Sequence, residues 1–374
     1  MYSAFASAQL AYDEWLSLDI TARNDWSSTL PKKNNSFFYP SASLSWVFSD
    51  FMRSIDHKLP SWITFAKLRV SAAQVGKDPA PYNLYNVRKY QFEMGNRKPI
   101  NNTIKLNANL KPEIKTSYEV GVDMKFLDNR LGFDFTYYYN TTKNQAMLVD
   151  ASSPWTQQWV NAGKINNTGV EFMLYGTPVK TRDFQFDITA NLAHNSSTVK
   201  ELADGVNRVY FAGDSNMPVK VGAVKGGKLG DIFANNLMQR DAQGRVIIGA
   251  DGLPMAATGD GNLEQYLLDH PIGNIQPDLL MSITPTFTYK GISLTAMFDM
   301  KFGGDIVSVS EGMATSVGTS ERTAYRGEYK TVNGVQDWYM VVPGVKADGS
   351  VNTQEVSAQK YYSTIGLYSS QKGY

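Results

Sequence analysis

The chain has 374 residues, with 36 Lys plus Arg against 35 Asp plus Glu and a formal net charge of +1. That balance argues against nucleic acid as the main partner, and the absence of cysteine removes disulfides and thiolate chemistry. No apolar run reaches the roughly 18 residues of a membrane-spanning helix. Aromatic residues nevertheless make up 12% of the chain, so the pattern in which they occur matters more than their number.

The pattern is period two from the start. "MYSAFASAQLAY" sets Tyr2, Ala4, Ala6, Ala8, Leu10 and Tyr12 on one side of an expected strand. It has neither the positive start nor the solid apolar block of a signal peptide, so Met1 is expected to be an internal methionine of a longer protein. "LSLDITAR" opposes Leu16, Leu18, Ile20 and Ala22 to Ser17, Asp19, Thr21 and Arg23. "YEVGVDMKF" opposes Tyr118, Val120, Val122, Met124 and Phe126 to Glu119, Gly121, Asp123 and Lys125. The stretch Leu131 to Leu148 is expected to be one strand, about three times the usual five or six residues. Phe184 to Leu192 and Ile292 to Phe302 repeat the alternation, each with charges on the polar side.

Connections alternate in length. Short ones fall at Asp13–Glu14, Leu127–Arg130, Thr177–Asp183 and Lys290–Gly291, and a medium one at Met52–Pro60. Longer ones fall at Ser27–Asn35, Lys77–Lys115, Val149–Asn167 and Lys200–Pro277, with another after Gly304. A soluble β-sandwich would use shorter strands with turns every 8–12 residues or so. Long strands with alternating short and long connections predict an all-β fold: part of a transmembrane, antiparallel up-and-down β-barrel with short periplasmic turns and long extracellular loops. About ten strands are counted, a piece of a larger barrel.

Several of these segments resemble one family. The stretches Leu18 to Asp50 ("LDITARNDWSSTLPKKNNSFFYP…"), Leu110 to Gln145 ("LKPEIKTSYEVGVDMKF…"), Asn161 to Leu202 ("NAGKINNTGVEFMLYG…") and Ile272 to Ile306 ("IGNIQPDLLMSITPTFTYKG…") are similar to SusC/RagA-like TonB-dependent transporters of Bacteroidetes outer membranes. That family adds an N-terminal plug and a TonB-binding segment, and closes a barrel of roughly 22 strands. Residues 1–374 are therefore expected to be a partial transporter barrel whose plug and final strands are absent from this sequence. Ten strands cannot close such a barrel, and an open edge in lipid leaves backbone groups unsatisfied, so the piece is not expected to work alone.

The resemblance implies TonB-driven import of a large nutrient, usually an oligosaccharide and sometimes a peptide. It also implies a SusD-like surface lipoprotein as a lid, contact with TonB–ExbB–ExbD through the missing N-terminal part, and surrounding outer-membrane lipid. The polar strand face would then line the lumen, with Asp123, Lys125, Asp134, Glu171, Asp187 and Asp299 among its charges. Trp155, Trp159, Trp338 and Tyr339 in the outer loops are candidate substrate contacts, since an indole offers a flat apolar face to a sugar ring and a polar N–H. No cofactor is expected. A passive porin, or less readily a barrel hydrolase, would share the strand pattern.

Other chemistry finds little support. His57, His194 and His270 are far apart, against a zinc site. Asp251, Asp260 and Glu264 lack the ligand spacing of a calcium loop. Gly222–Asp231 is glycine-rich without a phosphate-loop pattern. His194, Asn195 and Ser196 hold triad residue types, but neighbours in a strand point to opposite faces.

Overall fold

A computed structural model describes residues 1–57, 59–86, 89–100, 102–161, 163–212 and 219–367. The chain divides into two units. The first comprises Met1–Val209, Val224–Leu229 and Pro277–Gly303; the second comprises Tyr210–Ala223, Gly230–Gln276 and Gly304–Tyr374.

The first unit is built on an eleven-stranded antiparallel sheet whose strands pair in sequence order. These are β1 (Tyr2–Tyr12), β2 (Leu16–Trp26), β3 (Ser36–Val47), β4 (Ile63–Lys77), β5 (Glu113–Phe126) and β6 (Leu131–Lys143). Then follow β7 (Lys164–Lys180), β8 (Phe184–Glu201), β9 (Pro277–Tyr289), β10 (Ile292–Thr295) and β11 (Phe298–Gly303). Both β10 and β11 pair with β9 and so occupy one position, which leaves ten positions in an open up-and-down sheet. Among the described residues the sheet does not close on itself.

The interruption between β10 and β11 has a local cause. It lies opposite Thr284 and Pro285 in the middle of β9, between the pairs Thr286↔Thr295 and Ile283↔Phe298. Pro285 has no N–H to give the ladder, so one rung is lost there. The Ala296 amide still donates to the Pro285 carbonyl at 3.2 Å, which keeps the two halves in register.

Short turns join the strands at one end. Lys290 and Gly291 both have positive φ (46° and 85°), the signature of a two-residue turn that matches strand twist, and Asp13 and Glu14 (47° and 58°) do the same in the three-residue turn Asp13–Trp15. The Leu127–Arg130 turn places three successive residues, Leu127, Asp128 and Asn129, in the left-handed region. At this end Trp15 and Trp46 pack on Phe51 at 4.9 and 5.7 Å, within a helix Phe48–Ser54 that follows β3.

One expectation is corrected. The stretch Leu131–Leu148 is not one strand: β6 ends at Lys143, Asn144 turns with φ 59°, and Ala146–Asp150 joins a separate small sheet with Gln157–Asn161 and Ile104–Lys105. The cause is the partner strand. β7 begins at Lys164, opposite Lys143, so beyond that rung no neighbour remains to accept the backbone bonds. The alternation continues in sequence, but the ladder does not.

The two faces of the large sheet differ as expected. One carries Leu18, Leu44, Val70, Val120, Tyr137 and Val170 in register across the strands, with Phe135, Leu174, Ile188 and Ile283 on the same side. Many of its side chains are open, including Leu10 at 61%, Phe38 at 58% and Leu294 at 68% exposure. In water such a surface would far exceed the apolar patches of ordinary monomers. Phe126, Phe133 and Phe172 form a diagonal aromatic row on it, with centroids 6.0 Å apart at each step, and Trp62 stacks on Phe126 at 5.7 Å. The first unit's buried apolar clusters lie instead at and beyond the loop ends of these strands: Leu30, Phe37 and Leu110 in one, Met147, Val149 and Val209 in another.

The second unit has its own small cores. Ile248, Leu253, Val342 and Val356 form one, and Met340, Ala358 and Tyr362 form the other. Its three-stranded sheet, Glu328–Val332, Val335–Val341 and Glu355–Ser357, precedes the helix Ala358–Leu367.

Candidate functional site: the polar face and the outer loops

The register turns a list of scattered charges into rows. Lys67, Asp123, Asp134, Met173, Asn191, Ser282 and Asp299 are successive cross-strand partners from β4 to β11. The next row runs Arg69, Gly121, Thr136, Glu171, Ala193, Leu280 and Lys301. Lys125 and Asp187 share the same side, each an even number of residues from a member of the first row. All six charges named from the sequence therefore stand on the polar face.

Arg69, which the sequence pattern did not single out, is the best-connected of these groups. Its Nη1 and Nη2 donate to Asp134 Oδ2 and Oδ1 at 2.7 and 2.5 Å, a two-pronged pair, and Nη2 also donates to Thr136 Oγ1 at 2.7 Å. This pair borders a hollow of about 380 Å³ that also exposes Glu171, Asn191 and Asp299. Asp187 is held elsewhere, accepting from Thr177 Oγ1 at 2.6 Å and from Gln185 Nε2 at 2.8 Å. Lys125 lies over the Phe65 ring at 5.2 Å from its centroid.

A second polar cluster sits at the loop end of β2 and β3. Asp25, only 2% exposed, accepts from Tyr39 Oη at 2.6 Å and from Arg23 Nε at 2.8 Å. Just beyond the strand, Asp78 accepts from the Ser27 and Thr29 hydroxyls. These contacts anchor the loops after β2 and β4 and could not be found without the fold, because the partners lie up to 51 residues apart.

The aromatic candidates diverge within each pair. Trp159, on the strand Gln157–Asn161, lines a cleft of about 820 Å³ with Tyr82, Asn83, Tyr85, Asn86 and Asn102. Trp155 lies outside that lining, in a turn where its amide donates to the Ser152 carbonyl at 3.1 Å. In the second unit Trp338 packs on Tyr329 at 5.3 Å and lines a hollow of about 290 Å³ with Arg326, Asp337 and Tyr362. Tyr339 follows it on the same strand, so its ring takes the opposite face, where Oη donates to the Val335 carbonyl at 3.4 Å.

The remaining motifs resolve simply. His194 Nδ1 meets the Asp278 carbonyl at 2.5 Å, while Asn195 on the other face accepts from Tyr138 Oη at 3.1 Å, so the two do not converge. His270 stacks on Tyr266 at 4.2 Å. Gly222 and Asp231 face each other in a short ladder, which makes the glycine-rich stretch a hairpin. Asp251 accepts from the Leu253 amide at 3.1 Å; the side chains of Asp260 and Glu264 lie outside the described ones.

An open sheet with one polar and one apolar face, long loops at one end and short turns at the other, is a segment of an outer-membrane β-barrel wall. The profile of the family described as "TonB dependent receptor-like, beta-barrel" matches residues 1–231, and the chain belongs to that family, one of receptors rather than enzymes. It is 27% identical over 330 residues to the TonB-dependent receptor SusC of Bacteroides thetaiotaomicron, covering 82% of this chain and 32% of that protein. It is 24% identical over 329 residues to TonB-dependent receptor P3 of Formosa agariphila, with the same coverage. The solved RagAB peptide transporter matches with a TM-score of 0.67 at 21% identity, over 84% of this chain and 35% of that one. The chain thus spans about a third of the length of the curated relatives it matches. The SusC/RagA-like resemblance and the outer-membrane location expected from sequence both hold.

Proposed function

We propose that residues 1–374 form part of the barrel wall, with its extracellular loops, of an importer for a large nutrient, and that the polar face lines its lumen. The plug and the final strands belong to other parts of the same protein. The observation that carries this reading is the pair of cross-strand rows from β4 to β11. They keep charged and amide side chains on one face of a sheet whose other face is open, aromatic and apolar. Such a sheet has a stable setting between lipid and a water-filled bore.

The cargo class proposed first is an oligosaccharide, with peptide as the alternative. The Trp159 cleft, set among tyrosine and asparagine side chains, supports a ligand with flat apolar faces and many hydroxyls. The proposed partners are a SusD-like lipoprotein over the loops and TonB–ExbB–ExbD as the energy source. Both engage the assembled protein, the latter through a plug.

The test is genetic. Deleting the gene should abolish growth on a particular oligosaccharide while leaving growth on its monosaccharide intact, and deleting TonB should reproduce the defect. Loss of growth on peptides alone would reverse the order of cargo classes. Uptake that survives TonB removal would point to a passive porin. Affinity purification of the tagged protein should recover a surface lipoprotein encoded beside it.

A further inference from the structure

Three glycines stand on the polar face directly opposite long side chains. Gly121 on β5 pairs with Arg69 on β4, Gly132 on β6 pairs with Tyr175 on β7, and Gly169 on β7 pairs with Tyr138 on β6. In each case the long side chain lies flat across the glycine. A Cβ at Gly121 would run first into Arg69, within 2.8 Å of Cζ and 2.9 Å of Cγ. One at Gly132 would run first into the Tyr175 phenol, within 2.8 Å of Cε2. One at Gly169 would run into the Tyr138 phenol and come within 2.6 Å of the His194 carbonyl oxygen.

In two of the three cases the flat side chain reaches the strand beyond. Arg69 starts on β4, crosses β5 over Gly121, and forks onto Asp134 of β6. Tyr138 starts on β6, crosses β7 over Gly169, and donates to Asn195 of β8 at 3.1 Å. Tyr175 crosses in the reverse direction, from β7 over Gly132 of β6, whose other neighbour is Lys125 on β5. None of the three φ values is positive, so backbone strain does not demand glycine at these positions. Space does.

We propose that Gly121, Gly132 and Gly169 are positioning residues of the wall: bare seats that let Arg69, Tyr175 and Tyr138 lie down across a strand instead of standing into the bore. The arrangement has two effects. It ties strands two apart on the polar side, and it keeps clear the space over Met173 and Glu171, where the hollow beside Arg69 opens. An alanine at Gly121 would lift the guanidinium, break its fork on Asp134 and place a long cation in the hollow. The inference rests on the reading of the polar face as the lumen.

The test uses the full-length protein in its own outer membrane, with Met173→Cys as a reporter in the hollow; this chain has no other cysteine. A small, cationic, membrane-impermeant thiol reagent is applied to four backgrounds: the reporter alone, with Gly121→Ala, with Arg69→Ala, and with both. Gly121→Ala should slow labelling by about fivefold, and the double variant should label as fast as Arg69→Ala alone, because the added methyl is harmless once Arg69 is gone. Where Gly121→Ala fails to assemble, the same coupling reads as assembly restored by Arg69→Ala. Gly132→Ala with Tyr175→Ala gives an independent pair with the same logic. Unchanged labelling in assembled Gly121→Ala, or a double variant as impaired as Gly121→Ala in either readout, would overturn the proposal. Cargo uptake by the same strains separates the two readings: labelling coupled as described without any uptake would leave the seats standing and remove the transport function. A label-inaccessible Met173→Cys in every background would contradict the lumen itself.

Discussion

Asp13 and Glu14 show what a tight turn between strands demands of side chains. Both hold positive φ, a conformation that costs a non-glycine residue roughly 1 kcal/mol. Glu14→Gly should therefore stabilise the β1–β2 hairpin by up to about 1 kcal/mol, read as slower heat unfolding of the detergent-solubilised barrel. The corresponding Gly291→Val should cost at least as much, since a β-branched residue fits φ 85° poorly. At Arg69, truncation leaves the Asp134 carboxylate half-covered and without its fork. Arg69→Ala should lower stability by about 1–3 kcal/mol, and Asp134→Ala should add little to it in the double variant. Additive losses would show that the pair is not coupled. The two turns and Asp134 were legible in the sequence, but the role of Arg69 was not. Arg69 sits in an ordinary alternating run, and its importance depends on Gly121 and Asp134, which are 52 and 65 residues away and become neighbours only through the register.

Strands were more legible than their ends. Alternation located the wall strands and told their faces apart, because lipid and water select opposite side chains at every second residue. It misplaced the outer limit of β6, since the residues beyond Lys143 still alternate and only the absence of a pairing partner ends the strand. Loops carry no period, which is why the divergence of Trp155 from Trp159, and of Trp338 from Tyr339, had to come from the fold. Face identity gives a direct prediction. Val120→Arg or Phe135→Arg on the apolar face should cost about 2–4 kcal/mol and reduce assembled barrel in the outer membrane, whereas Thr284→Arg on the polar face should assemble normally. Equal losses on both faces would refute the assignment.

Loop turns offer a prediction in pH. In the second unit the Ser350 hydroxyl and amide donate to Asp348, at 2.6 and 2.9 Å, and hold its carboxyl below the usual carboxylate range. The folded group therefore binds its proton less readily than the unfolded one. Its contribution is complete above the ordinary carboxylate pKa and is lost as pH falls through the lower, folded value. Amide exchange across 346–351, corrected for intrinsic rates, should stay flat from about pH 5 to 8 and rise only in stronger acid. Asp348→Ala should show the fast rate throughout. An acid step unchanged in Asp348→Ala would assign it to another group.

For the molecule as a whole, the account turns on which face of the sheet meets water. The charge balance argued against nucleic acid as the main partner, no apolar run reached the length of a spanning helix, and the strand pattern pointed to a barrel wall. The cross-strand rows and the family match then agreed on the same object. The most direct measurement is a single-cysteine scan of β6, from Leu131 to Lys143, in the full-length protein in its membrane, probed with a water-soluble and a lipid-phase thiol reagent. The account predicts strict alternation. Positions 134, 136 and 138 should react with the aqueous reagent, and positions 133, 135 and 137 with the lipid-phase one. Reaction in the opposite phase, or equal aqueous labelling at both sets, would contradict the assignment of a luminal polar face and a lipid-facing apolar face.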